Sequence, residues 1–224
     1  MTRSLLKQEA KNQLSKNFGV LILSGLILSI ILGLPSVIPS HNARMIMSNP
    51  ELFLKYYNLT EIFMNYFMWP PQVIIALISF FISPVLMLGV HHVHLKATTD
   101  EKPRLSEMFS KMPQFGTAFV TSLLTGIFVF LWSLLLIVPG IIATYSYSMV
   151  YFILAEHPEM SAMEAIRESK RIMKGHKWEL FVLELSFFWW YLLCIVTFGL
   201  AMIYVMPYVE MAKANFYKNL VCKV

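Results

Sequence analysis

Residues 112–155 form a run of 44 without one Asp, Glu, Lys or Arg. As a single helix the run would reach roughly 66 Å at ~1.5 Å per residue, about twice the ~30 Å hydrocarbon core of a bilayer. It therefore has to fold back. Pro139 and Gly140 sit near its centre, and such a pair is both a helix stop and a turn. The run predicts two membrane spans, 116–138 and 140–155, joined as a tight hairpin.

Three more stretches lack those four residue types: 17–43, 62–95 and 185–209. With the first they hold 130 of the 224 residues. Charged residues make up 14% of the chain, against about 25% in a soluble domain. A soluble fold of this length buries one core and wets the rest, so its helices alternate apolar and charged faces. Uncharged runs beyond ~18 residues read instead as lipid-facing segments. The expected class is an all-α polytopic membrane protein forming one integral membrane domain over residues 1–224.

Span one covers about 18–34 and ends at Gly33, Pro35 and Pro39. A turn-rich, aromatic loop follows at 40–71, in which Asn49-Pro50 has the form of a helix cap with proline at the first position. Span two covers about 72–94, with Pro84 near its middle. The end of the chain reads in two ways. Residues 185–209 make one span, or 179–196 and 199–217 make a second hairpin that turns at Thr197-Phe198. With six spans, 16 of the 18 Lys and Arg residues lie on one side and Arg44 and Lys55 on the other. Five spans give 13 against 5. Basic residues favour the cytoplasmic side, so both counts place the N-terminus inside and six spans fit better, with the C-terminus inside as well. The segments are then 1–94 (a basic helix, spans one and two, and the outer aromatic loop), 95–157 (spans three and four) and 158–224 (an interfacial helix and spans five and six). The first apolar run is read as an uncleaved span, because no small-residue cleavage site follows it.

An internal repeat favours the same count. WSLLLIV at 132–138 precedes Gly140, and WYLLCIV at 190–196 precedes Gly199. Carried onward, this register aligns Ser148 with Pro207, and Pro84 is a candidate equivalent. Each odd span also follows a basic segment ending at an aromatic residue: Phe18, Phe115 or Trp178. The economical reading is three copies of a basic interfacial helix followed by a membrane hairpin.

The best-specified wettable stretch lies between spans four and five. Ser161 and Glu164 make a capping box. Ala162, Ala165, Ile166, Ser169, Ile172 and Met173 share one helical face, while Arg167, Lys170, Arg171 and Lys174 take the other, and Gly175 is the expected C-cap. Such a helix is expected to lie in the inner interface, apolar side down, against anionic lipid. Residues 3–16 carry a weaker stripe of Leu6, Ala10 and Leu14.

Several motifs taken together resemble one bacterial membrane-protein family. They are LWSLLLIVPG at 131–140, YSYS at 145–148, ILAE at 153–156, MKGHKW at 173–178, FVLELSF at 181–187 and VMPY at 205–208. The family is known as domain of unknown function 975, and the resemblance covers roughly residues 88–220. It implies a multi-span plasma-membrane protein and carries no activity across.

Among candidate functional residues, Glu184 and Lys213 come first, at similar depth on the two arms of the closing hairpin. Ionisable groups in a span usually face a partner or a water-filled cavity. The expectation is a Glu184–Lys213 pair with Glu210 one turn deeper, acting as an inter-helix lock or as part of a cation or proton relay. His91 and His94 share a helical face, so a two-histidine metal site is possible in principle, although no third ligand follows at suitable spacing. Histidines that simply meet water are the preferred reading. Pro84 and Pro207 each free a backbone carbonyl near mid-span, and Tyr145, Ser146, Tyr147 and Ser148 supply polar groups nearby.

The basic residues flank apolar spans rather than forming a wettable patch, which argues against nucleic acid. Cys194 and Cys222 make neither a metal spacing nor a disulfide framework. No nucleotide-binding, serine-hydrolase or zinc-protease motif occurs, and no cofactor is expected. The leading expectation is a non-enzymatic scaffold, assembly or regulatory protein of the envelope, with other membrane proteins as possible partners. The alternative is a small transporter or channel built on the Pro-kinked spans and Glu184, with a lipid-modifying enzyme third.

Overall fold

A computed structural model describes residues 2–37, 70–99 and 101–222. The aromatic loop, with Arg44, Lys55 and the Asn49-Pro50 cap, lies outside the described residues over 38–69. The described residues contain helices and turns and no strand. In chain order the helices are α1 (Arg3–Lys16), α2 (Phe18–Val37), α3 (Pro70–Thr98), α4 (Phe115–Leu135), α5 (Ile137–Tyr147), α6 (Val150–Glu156), α7 (Ala162–Ile172), α8 (Lys177–Leu185), α9 (Phe188–Val196) and α10 (Met202–Val221). Short 3-10 turns at Leu105–Phe109 and Met112–Gln114 link α3 to α4.

Among the described residues, four segments are long and apolar enough to cross a membrane: Val73–Thr98, Leu105–Leu135, Ile137–Glu156 and Lys177–Val196. A fifth is counted if α1 and the following Phe18–Leu32, bent by 93° at their junction, are taken together. The six-span expectation needs α10 as well. That helix carries Glu210, Lys213 and Lys218 and, though long enough, does not qualify on composition. From Val205 to Leu220 most of it is covered by protein instead: Val205, Met211, Ala212, Ala214, Phe216 and Tyr217 are all buried, and it packs along α1 and against α8 and α9.

The chain divides into two compact units, residues 28–83 and residues 1–27 with 84–224. In the smaller unit the Ser79 hydroxyl donates to the Ile31 carbonyl at 3.1 Å, tying α3 to α2. Pro84 has no amide hydrogen for the Phe80 carbonyl, and the neighbouring Ser83 hydroxyl approaches that oxygen at 3.5 Å. The helix runs on through Pro84, as α10 runs on through Pro207.

The larger unit holds both hairpins. The first turns three residues earlier than the Pro-Gly pair predicts. Leu136 is extended (φ −165°, ψ 152°), and Pro139 and Gly140 lie inside α5. The reason is local: Pro139 is the third helical residue, where a missing amide costs no intrahelical hydrogen bond. Gly140 faces α4 so closely that a Cβ there would meet the Ser133 backbone and hydroxyl. Its role is close approach rather than termination. The second turn follows α9, where Phe198 (φ 50°) and Gly199 (φ 88°) are left-handed and the Gly199 amide donates to the Cys194 carbonyl at 2.7 Å, a Schellman closure. Both tips are apolar and bare. Leu134, Ile137 and Phe198 are 75%, 78% and 98% exposed, as lipid contact allows and water does not.

The two amphipathic helices depart from expectation. The stripe Ala165, Ile166, Ser169, Ile172 and Met173 is buried because α7 packs on α4, α5 and α6, so lipid does not reach it. The α1 stripe Leu6, Ala10 and Leu14 is likewise buried, against α10. The capping box forms: the Glu164 amide donates to Ser161 Oγ at 3.4 Å and the Ser161 amide to Glu164 Oε2 at 2.8 Å. The C-cap is Met173, and Gly175 takes the left-handed conformation (φ 89°) two residues on. Arg167, Arg171 and Lys174 are exposed on the outer face.

Candidate functional site

Two of the apolar segments are interrupted, and the first interruption, at Ser148, borders a cleft that also holds several charged groups. Between α5 and α6, helical bonding lapses at Ser148–Met149. The Ser169 hydroxyl of α7 spans the gap, donating to the Ser146 carbonyl at 2.9 Å and accepting from the Met149 amide at 3.3 Å. Between α8 and α9 the lapse is at Ser186–Phe187. There Lys7 of α1 donates to the Ser186 carbonyl at 2.9 Å and its hydroxyl at 3.2 Å, with its ammonium 4.3 Å from the centre of the Phe187 ring. Neither break carries a proline or glycine, so nothing local announces it. Each is held by a side chain distant in sequence.

Glu184 stands one residue before the end of α8, roughly 10 Å along the helix from Lys177 at ~1.5 Å per residue. Its Oε1 is 3.0 Å from Lys213 Nζ, and its Oε2 accepts from the Tyr145 hydroxyl at 2.7 Å. Lys213 also lies 3.5 Å from Glu210 Oε1, one turn back on α10. The other Glu210 oxygen is 3.6 Å from His91 Nε2. Four helices thus bring Tyr145, Glu184, Lys213, Glu210 and His91 into one chain of polar groups. It borders a half-open cleft of about 460 Å³, to which Thr125, Thr144 and Ser148 also contribute. The Thr125 hydroxyl is buried with no protein partner, leaving one hydrogen-bonding group unmet beside the cleft.

The histidines do not meet water as expected. His91 and His94 are buried (7% and 2% exposed), because residues 84–98 of α3 belong to the core of the larger unit. His91 is edge-on to Phe152 at 4.5 Å and stacked with Tyr151 at 5.6 Å. No group of three or more His, Cys, Asp or Glu residues suited to a metal ion occurs among the described residues. The part played by His91 was out of reach of the sequence, since it depends on the long-range placing of α3 beside α10. Glu179, near the start of α8, has its carboxylate 3.2 Å from His176 Nδ1, away from the cluster. Pro84 and Pro207 do not line the cleft.

A second group of charges lies further along α3 and α10 and at the end of α6. Glu156 accepts from Tyr217 at 2.7 Å and from Lys218 at 2.6 Å, and Lys111 donates to the Ala155 carbonyl at 2.9 Å. Lys96 meets Glu107 at 3.0 Å. On α7, the hydrogen bonds from Ser161 hold the Glu164 carboxyl below its ordinary range. The Arg171 guanidinium does the same for Glu168 through a two-point contact at 2.6 and 2.8 Å.

The fold and cleft define a helical protein with several helices long and apolar enough to cross a membrane and a cluster of charged groups among them. The chain belongs to the family described as protein of unknown function (DUF975), whose model matches residues 1–143 and 133–223. No curated protein and no solved structure matches it.

Proposed function

We propose that the chain is a non-enzymatic, multi-pass protein of the plasma membrane that binds and passes a small hydrogen-bonding solute through the cleft, as a small transporter does. In this reading α10 is the sixth span. Its charges are tolerable because protein covers most of it from Val205 to Leu220, and a helix of 20 residues reaches ~30 Å, the thickness of the hydrocarbon core. Both termini are then cytoplasmic, and the exposed basic face of α7 meets anionic inner-leaflet lipid.

The observation that carries the proposal is the open cleft bordered by Glu184, Glu210 and Lys213. A bundle whose sole task was to hold other proteins would gain nothing from charges kept around an opening at membrane depth, where each costs several kcal/mol. The break at Ser148, on the wall of the cleft, adds support, since broken helices at an internal site are a recurring device of transporters. The scaffold reading finds its support elsewhere, in the bare apolar tips at Leu134–Val138 and Phe198, which another membrane protein could cover.

Native mass spectrometry of gently extracted protein tests the solute site. Wild type is expected to carry a small-molecule adduct that Thr144→Trp, which fills the cleft, loses. Identical adducts on both proteins, or none on either, would remove the support for transport and leave the scaffold reading.

A further inference from the structure

We propose that His91 and Glu210 hold a shared proton and are the proton-binding site of the cleft. This rests on reading the cleft as a solute site and names which of its groups carries the exchangeable charge. The argument begins with the imidazole. His91 Nδ1 lies 2.7 Å from the Met87 carbonyl. A carbonyl oxygen only accepts, so Nδ1 bears a hydrogen. In a neutral ring Nε2 is then a bare lone pair, and it faces Glu210 Oε2 at 3.6 Å. A carboxylate has only lone pairs to offer in return. Two acceptors turned toward each other in a buried site are costly, and one proton on the pair removes the cost. It makes either an imidazolium beside a carboxylate or a neutral imidazole beside a carboxylic acid.

Glu184, the coupling carboxylate of the alternative transporter reading of the sequence, is the poorer candidate. Both its oxygens are engaged at short range, by Lys213 and by the Tyr145 hydroxyl. Lys213 sits nearer Glu184 than Glu210, so Glu210 is the less completely neutralised carboxylate. The other groups around the pair supply no competing charge. Tyr151 and Phe152 of α6 pin the ring from two directions. His94, one turn along α3, donates its own Nδ1 hydrogen to the Val90 carbonyl at 2.8 Å, and its buried Nε2 has no partner. That nitrogen is a second acceptor beside the first. With Glu184 and Glu210 ionised and Lys213 charged, one proton on the pair makes the cluster neutral. Its release to water in the cleft leaves one net negative charge, which a cationic group of a solute would balance. The proton and such a group therefore compete for the same charge.

The test is magnetic resonance of protein labelled with ¹⁵N-histidine and ¹³C-glutamate in lipid nanodiscs at pH 7. His91 is assigned as the signal lost in His91→Gln. The wild-type spectrum is expected to show a proton on Nδ1 and one further proton on the pair, seen as an imidazolium or as a protonated Glu210. In Glu210→Gln the amide can donate to Nε2, so the imidazole is expected to be neutral; in Glu184→Gln the extra proton stays. A wild-type ring that is neutral beside an ionised Glu210 overturns the proposal without any variant needing to fold, as does an extra proton lost in Glu184→Gln and kept in Glu210→Gln. No solute is required. A proton found on the pair while the cleft retains no adduct would sink the transport reading and leave the proton site standing.

Discussion

Replacing Lys213 with methionine removes a cation that both Glu184 and Glu210 face. In the structure its ammonium lies 3.0 Å from one carboxylate and 3.5 Å from the other, with the three side chains between 26% and 29% exposed. Removing one member of a fully buried pair costs ~3–5 kcal/mol, whereas an exposed pair is worth ~0.2–1 kcal/mol. A cluster about a quarter open to a cleft falls between, so Lys213→Met should cost roughly 2–3 kcal/mol. Glu184→Gln should cost less, roughly 1–2 kcal/mol, because Lys213 keeps Glu210 and the new amide can still accept from Tyr145. For a chain of this size ~1 kcal/mol moves the midpoint by about 2–4 °C, so Lys213→Met should unfold roughly 4–12 °C earlier in detergent. Unfolding in mixed micelles containing SDS, run on both single variants and the double variant, gives the coupling directly. The double variant should lose clearly less than the sum of the singles. Additive losses, or a Glu184→Gln variant as damaged as Lys213→Met, would refute the account of Lys213 as a bridge between two carboxylates.

Gly89→Ala should prevent the normal docking of the 104–110 turn, because the added methyl would run into the Met108 carbonyl; a cost of ~1–3 kcal/mol or more is expected from the same unfolding assay. Ser161→Ala removes the hydroxyl of the capping box and should lower hydrogen-exchange protection across α7 by roughly 1 kcal/mol, leaving α10 unaffected. Glu164 and Glu168 are held below the ordinary carboxylate range, so their contribution is present above the unfolded value near ~4.3 and lost as pH falls through their lower folded values. Protection of α7 should accordingly drop on acidification below about pH 4, and unchanged protection there would contradict the assignment. Cys222 is exposed near the C-terminus, so six spans predict that an impermeant thiol reagent labels it only after cells are opened. Labelling in intact cells would favour five.

The long apolar helices were legible because they follow from length alone: 44 uncharged residues cannot cross a bilayer once and stop. The turn position was less legible. Pro139 looked like a helix stop, yet a proline in the first turn costs a helix little, and the break fell at Leu136, which carries no turn signal. Glu184 and Lys213 stand at equal depth on the two arms around Thr197–Gly199, so residue numbers suffice to place them side by side. The breaks at Ser148 and Ser186 were invisible. Ser169 and Lys7, the groups that hold them, come from helices 20 and 179 residues distant. The faces of α1 and α7 were read with the correct residues and the wrong neighbour, since an apolar stripe reports that something covers it and does not say whether lipid or protein does.

The central claim is that a cleft bordered by charged groups opens to water among helices apolar enough to cross a membrane. Thiol reactivity tests it most directly. With Cys194 and Cys222 replaced by alanine and serine, Thr144→Cys places a thiol on the cleft wall and Leu134→Cys places one at a lipid-facing tip. The account predicts that a charged, water-soluble thiol reagent modifies Thr144→Cys in reconstituted membranes and leaves Leu134→Cys untouched. Equal inertness at the two positions would mean that water does not enter the cleft, and the claim would fail.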